Sequence, residues 1–302
     1  MRSVIMEEPG KVVVNEVEKP TLLEPTDAII KLAASCICGS DLWPYRGADA
    51  EPVDHRSMGH EYIGEVVEIG SEVTTVAPGD FVVGSFCISC GECEICTAGY
   101  PSRCLKAIAA GDAFIGARSN GTQAEYARVP FADGTLVKTP ATPTEEQIPH
   151  LMAASDVLGT GWYAADAAKA GPGKTIVVVG DGAVGLSAVI GAKQLGAEKI
   201  IMMSRNPKRQ ELAKQFGATH VVEERGEEGI AKVLELTDGV GAHGVVEAVG
   251  TQQAFDQALG CVRHGGYIGF VGVPHDSSIG TDVLFDKQVH LEGGPAPVRK
   301  YL

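Results

Sequence analysis

The stretch Thr175-Ile176-Val177-Val178-Val179-Gly180-Asp181-Gly182-Ala183-Val184-Gly185 decides the fold. Thr175–Val179 is a continuous apolar run, the pattern of a parallel strand covered on both faces. A G-x-G-x-x-G pattern then ends the strand and opens a helix-like segment at residues 183–195. That context is what gives the glycine pattern its meaning. Gly180 permits the tight turn, Gly182 lets the backbone approach a pyrophosphate, and Gly185 lets the helix pack on the sheet. Asp181, Ala183 and Val184 complete the turn. Free N–H groups and the helix dipole then favour an anion at this helix start, so the segment predicts a dinucleotide site.

Downstream the same grammar repeats. Strand patterns at Lys199–Met203 and at residues 220–223, 245–249 and 267–271 alternate with helical patterns. The helical ones are Pro207–Phe216 and residues 227–236 and 252–262. This alternation predicts an α/β fold with a doubly wound parallel sheet over residues 154–302. Residues 1–153 read differently: short β patterns at 11–18, 28–34, 63–70 and 80–85 are punctuated by Pro and Gly. Two domains are therefore expected.

A net charge of −14 disfavours a polyanionic partner, so no nucleic-acid binding is expected. No run of about 18 consecutive apolar residues occurs, so no membrane span is predicted. The opening residues lack the apolar core of a signal peptide. The eight cysteines then read as metal ligands or buried thiols in a cytoplasmic protein rather than as disulfides.

Cofactor choice is read where the second parallel strand ends, at Met203-Ser204-Arg205-Asn206. An acidic residue expected there would hold a ribose 2′-hydroxyl. None stands in this segment. A hydroxyl beside a guanidinium suits a 2′-phosphate, so Ser204 and Arg205 predict NADP(H) in preference to NAD(H), with a solvated Arg205 as the alternative.

Cys90, Cys93, Cys96 and Cys104 form a C-x2-C-x2-C-x7-C series. Four thiolates so close can close a tetrahedral shell around zinc, which makes such a site structural. Cys87 precedes the series and is a competing member. A second set is dispersed: Cys38-Gly39-Ser40-Asp41, Gly59-His60-Glu61, and Asp156 ahead of Val157-Leu158-Gly159-Thr160. Taken singly, each has an ordinary structural reading. Periodicity does not choose between Cys36 and Cys38, which share a strand face.

Taken together and in this order, the motifs make the chain resemble, over essentially its whole length, the zinc-dependent alcohol dehydrogenases of the medium-chain dehydrogenase/reductase family. The resemblance implies a GroES-like catalytic domain, a Rossmann domain, and hydride transfer between a small alcohol or carbonyl substrate and a nicotinamide cofactor. It implies one catalytic zinc on Cys38, His60 and Asp156, with Glu61 close behind it as an occasional ligand, and one structural zinc on the four-cysteine loop. It puts the ligand immediately before Gly39, which selects Cys38 over Cys36. Ser40 matches the family's relay hydroxyl, and Thr160 falls where the family contacts the cofactor near the nicotinamide. Trp43 stands where a relay histidine is often found. Trp accepts no hydrogen bond, so it passes no proton, and His55 is a substitute candidate. Relatives are commonly homodimers or homotetramers.

Two other readings compete: a zinc-free quinone reductase-like enzyme and a non-catalytic nucleotide- and zinc-binding protein. The second arises from the end of the chain. The family continues beyond Leu302 through a further helix and a return segment, so a C-terminally truncated, impaired chain is expected.

Overall fold

The computed structural model describes residues 1–48, 55–116 and 121–302. The chain divides into two compact units, one of Met1–Asp156 with Pro297–Leu302 and one of Val157–Ala296. The sequence reading puts the boundary at 153/154 and keeps the C-terminus in the second domain.

The first unit holds β1 (Arg2–Glu8), β2 (Lys11–Glu16), β3 (Ala28–Ser35), β4 (Arg56–Ser57), β5 (Tyr62–Ile69), β6 (Phe81–Gly84), β7 (Tyr126–Val129) and β8 (Leu136–Lys138). Its helices are short: α1 (Leu42–Tyr45), α2 (Glu94–Thr97), α3 (Leu105–Ala109), α4 (Ala132–Thr135) and α5 (Ile148–Ala154). An antiparallel sheet runs in the order β7-β3-β5-β6-β8, and a smaller one in the order β2-β1-β4. Ala28, Ile30, Val66, Val82, Val129 and Leu136 project from the larger sheet into one apolar core. Ile63, Phe81 and Val83 point the other way and pack with Met152 of α5 and with Leu302. The period of two along β5 and β6 thus feeds two cores. Burying such side chains contributes roughly 1.5–3 kcal/mol each, which is what holds these short strands together.

The second unit holds β9 (Thr175–Val179), β10 (Lys199–Met203), β11 (His220–Val222), β12 (Ala242–Glu247), β13 (Val262–Phe270) and β14 (His290–Gly293). Its helices are α6 (Val157–Ala167), α7 (Ala183–Gln194), α8 (Pro207–Phe216), α9 (Gly226–Leu236), α10 (Gln252–Cys261) and α11 (Thr281–Lys287). The sheet is parallel throughout, in the order β11-β10-β9-β12-β13-β14. Ile176, Val178, Ile200, Met202 and Val246 meet Ala188, Val189 and Ala192 of α7 on one face. Val177, Val179, Ile201, Met203 and Val245 meet Ala254, Ala258 and Leu259 of α10 on the other. This two-sided cover is why β9 reads as an unbroken apolar run. Asn206 caps α8 by accepting from the backbone N–H groups of Lys208 and Arg209. Pro207 fits its first turn.

Some elements differ from the sequence expectation. β12 begins at Ala242 rather than 245. β13 begins at Val262 rather than 267 because a register shift between Ala242 and Gly244 absorbs the polar Arg263–Gly266 segment. Among the described residues, no helix is long and apolar enough to cross a membrane.

Candidate functional site

In the first unit, three chain segments meet at one point. Cys38 follows β3 and opens a single 3-10 turn, Gly39–Asp41. His60 and Glu61 lie immediately before β5, after Gly59 at φ +93°. Asp156 follows α5. Each segment is tied down by backbone hydrogen bonds. Ser155 is fully buried; its hydroxyl donates to the Gly84 carbonyl at 2.6 Å and accepts from the Tyr62 N–H at 2.9 Å. That bond locks the residue beside Asp156 onto β5 and β6. The hydroxyls of Ser35 and Thr122 donate to the Glu61 carbonyl at 2.8 and 3.1 Å. Asp41 accepts from the Cys38 N–H at 2.9 Å.

The side chains converge as a result. One donor atom each from Cys38, His60, Glu61 and Asp156 lies within 4.8 Å of the others. His60 Nε2 is 3.4 Å from Asp156 Oδ2, and Cys38 Sγ is 3.9 Å from the same oxygen. His60 Nδ1 is 3.3 Å from Asp41 Oδ1 on its other side. Glu61 and Asp156 are buried. Burial, reinforced by the neighbouring Asp156 charge, pushes the Glu61 carboxyl up to about 7. Burial also disfavours a charged His60, but hydrogen bonds to Asp156, Asp41 and Cys38 outweigh it and hold the imidazole well above its ordinary pKa. Two carboxylates and a thiol crowded in a low-dielectric place call for a cation, so the donor set fits zinc.

Sequence reasoning gave no role to Asp41 or Ser155. Asp41 could have been found as the carboxylate three residues after a ligand candidate. Ser155 carried no such signal, because its partners Gly84 and Tyr62 are remote in sequence. Ser40 is half-buried on the same turn as Cys38. Cys36 lies outside the donor cluster and packs against the apolar group around Ile63 and Met152. His55 is exposed and also lies outside the donor cluster.

The four-cysteine loop forms a second donor group, with one sulfur each from Cys90, Cys93, Cys96 and Cys104 within 4.8 Å of the others. Backbone N–H groups point into it: Cys90 N to Cys104 Sγ and Cys93 N to Cys90 Sγ, each at 3.3 Å. The N–H groups of Cys96 and Leu105 lower the Cys93 thiol to about 6, while burial raises Cys96. Cys87 stands apart, buried and bridged to Phe114. All eight cysteines are free thiols.

In the second unit the glycine turn follows β9. Gly180 has φ +108° and backs onto Val249 and Ala248. A Cβ on Gly185 would stand 1.8 Å from the Gly180 carbonyl oxygen, so the helix start closes on the turn only with glycine there. A Cβ on Gly182 would meet nothing within 4 Å, which leaves open space at the N-terminus of α7. Thr160 is buried within α6. Ser204 is buried at the end of β10, and Arg205 is exposed. No carboxylate stands in the segment Met203–Asn206 itself, but one reaches Ser204 from another part of the chain. Asp181 supplies one from the glycine turn: Ser204 Oγ donates to Asp181 Oδ2 at 2.7 Å. Parallel pairing of Met203 with Val179 sets the two strand ends side by side.

Residues 24–141 match the alcohol dehydrogenase GroES-like domain, and residues 183–294 match the zinc-binding dehydrogenase domain. A zinc-type alcohol dehydrogenase B of Aspergillus flavus is 38% identical over 309 aligned positions, covering 99% of this chain and 70% of the relative. The solved alcohol dehydrogenase from Thermus sp. ATN1 is 33% identical, with a TM-score of 0.86, over 100% of this chain and 86% of that one. A proposed zinc-binding dehydrogenase from Sinorhizobium meliloti 1021 bound to NADP is 27% identical, with a TM-score of 0.80, over 99% of this chain and 86% of that one.

Proposed function

Because this chain belongs to the zinc-type alcohol dehydrogenases of the medium-chain dehydrogenase/reductase family, a family of oxidoreductases, we propose that it transfers a hydride between a small alcohol, or its aldehyde or ketone, and a nicotinamide dinucleotide. The observation that carries this reading is the convergence of Cys38, His60, Glu61 and Asp156 in one partly buried cluster. Cys38, His60 and Asp156 are the proposed ligands of a catalytic zinc, with Glu61 behind them. When bound, the metal supplies Lewis acidity to an alcohol or carbonyl oxygen, and the nicotinamide carries the redox chemistry.

The chain's own residues do the rest. Asp41 orients His60 by engaging Nδ1, which leaves Nε2 for the metal. Ser155 fixes the backbone that presents Asp156. Ser40 Oγ is the proposed first carrier of the alcohol proton. Trp43 has a donor and no acceptor, so the proton continues by another route. Cys90, Cys93, Cys96 and Cys104 are the proposed shell of a structural zinc, whose four thiolates leave no position open.

Gly180, Gly182 and Gly185, with Asp181, Ala183 and Val184, form the proposed pyrophosphate turn, and Thr160 lies on the same unit as a further cofactor contact. NADP(H) is the proposed preferred cofactor and NAD(H) the second. Arg205 supports this order as an exposed guanidinium beside Ser204, and the Sinorhizobium meliloti neighbour was solved with NADP. The eight free thiols suit a reducing compartment, and the cytoplasm is the proposed place of action.

The test is a panel of alcohols and aldehydes, run with both cofactors on zinc-reconstituted protein and on His60→Ala. Turnover lost in His60→Ala, with nucleotide binding retained, is the expected result. Equal turnover in the variant, or in protein stripped of metal, would refute the assignment.

A further inference from the structure

We propose that Asp181 limits how strongly this chain can prefer a 2′-phosphorylated cofactor, by holding a negative charge and two of the site's donors beside the ribose position. The inference rests on the dinucleotide reading of the Gly180–Gly185 turn.

The sequence points to Ser204 and Arg205 as the groups that would receive a 2′-phosphate. The geometry adds two participants. Ser204 Oγ gives its one proton to Asp181 Oδ2 at 2.7 Å and accepts from the Asn206 N–H at 3.3 Å. A hydroxyl has one proton to donate, so Ser204 as arranged has none for a phosphate oxygen. Arg209 stands in the first turn of α8, and Arg205 precedes the Asn206 N-cap of the same helix. Its Nη1 donates to Asp181 Oδ1 at 2.8 Å. Asp181 therefore engages both the hydroxyl and one of the two guanidiniums that a phosphate would use.

Asp181 is also charged. Its side chain is 14% exposed against 51% for Arg209. Burial opposes its ionisation, but the Ser204 hydroxyl and the Arg209 guanidinium outweigh burial and keep the carboxyl below its ordinary pKa. An ionised carboxylate repels a phosphate dianion and accepts a hydrogen bond from a ribose 2′-hydroxyl. Arg209 screens part of that repulsion, and Arg205 supplies attraction. Asp181 thus works against the phosphate preference that Arg205 favours. The same role is usually played by an acidic residue at the end of the second strand. Here the first turn provides it, and the residue at the strand's end became its hydrogen-bond donor.

The test uses nucleotides that reach only the adenosine end of a cofactor. Adenosine 2′,5′-bisphosphate and 5′-AMP are titrated calorimetrically into the 302-residue chain at neutral pH and low salt. Asp181→Asn removes the charge and nearly keeps the shape. It should tighten the bisphosphate by about tenfold, the size of one charge-assisted hydrogen bond, and change AMP by less than about twofold. Arg209→Gln, at an exposed position, should do the opposite and weaken the bisphosphate. Glu211→Gln removes an exposed charge from the same helix and should leave the ratio alone, because exposed charges are screened. An unchanged bisphosphate-to-AMP ratio in Asp181→Asn overturns the proposal while leaving the dinucleotide site intact. So does an equal change in Glu211→Gln, which would make the effect one of net charge. If Asp181→Asn does not fold, an unchanged ratio in Arg209→Gln overturns it. Binding of neither nucleotide by the unaltered chain overturns the dinucleotide reading, and this proposal with it.

Discussion

The Asp41 carboxylate stands 3.3 Å from His60 Nδ1. Its other oxygen accepts the backbone N–H of Cys38 at 2.9 Å. One buried carboxylate therefore fixes the ring of one proposed ligand and the backbone of another. A histidine that gives its Nδ1 proton to a carboxylate presents a lone pair at Nε2, on the side of Asp156 and Cys38.

Asp41→Ala should accordingly lower zinc affinity and turnover by about 10–100-fold, the usual effect of removing such a partner. Competition with a chromogenic chelator measures the first and an alcohol oxidation assay the second. Asp41→Asn should fall between, since an amide can still accept from Nδ1–H. Unaltered zinc affinity in Asp41→Ala would show that His60 is held by other contacts.

The four-cysteine loop should behave as a separate, structural centre. Cys93→Ser should bind one zinc fewer than the unaltered chain by elemental analysis and melt at a lower temperature, because metal binding of this kind contributes folding free energy. Nucleotide binding by the second unit should persist. A variant with the full metal complement and an unshifted melting curve would remove Cys93 from the shell.

Asp27 is fully buried and paired with Arg128, Nε to Oδ2 at 2.6 Å. Both side chains are well shielded from water, so Arg128→Leu should cost about 3 kcal/mol by leaving a buried charge uncompensated. The N–H groups of Leu23 and Glu24 also reach Asp27, which keeps the loss at the lower end of the usual range. Urea denaturation measures it, and the double variant Asp27→Asn with Arg128→Leu should recover part of the loss.

Glu247 gives a pH signature. It is buried at the end of β12; its Oε1 accepts from the N–H groups of Val249 and Gly250, and Oε2 has no hydrogen-bond partner among the described residues. Burial raises its carboxyl above the ordinary 4.5, against the pull of those two N–H groups. The folded chain thus holds this proton more tightly than the unfolded chain. Its contribution to stability is present below the ordinary value and falls as pH rises from there through the raised folded value. Melting temperatures of the native chain and Glu247→Gln, compared from pH 4 to 8, should therefore diverge with rising pH in favour of the variant. Parallel curves would contradict a raised Glu247.

Much of this was legible in the chain. The apolar β9 run and the glycine turn could be read because backbone sterics and two-sided burial act over a few adjacent residues. The four cysteines were legible for the same reason: their spacing is short enough to state a coordination shell. The register shift that extends β12 and β13 was not, since it depends on which residue of a neighbouring strand comes opposite. The roles of Ser155 and Asp41 were also hidden, because their partners arrive from elsewhere in the chain.

The sequence by itself determined the elements, the glycine geometry and the inventory of donors. Each of those follows from local sterics, periodicity or chemical type. Only the tertiary structure decided which donors face one another. It put Cys38, and not Cys36, in the donor cluster, with Asp156 beside it from 118 positions away along the chain. It also brought a carboxylate from the glycine turn to Ser204. Asp181 and Ser204 are 23 positions apart, and the parallel register of β9 and β10 brings them within one hydrogen bond. Such contacts are long-range and non-periodic, so they leave no pattern in the chain until the sheet that creates them has formed.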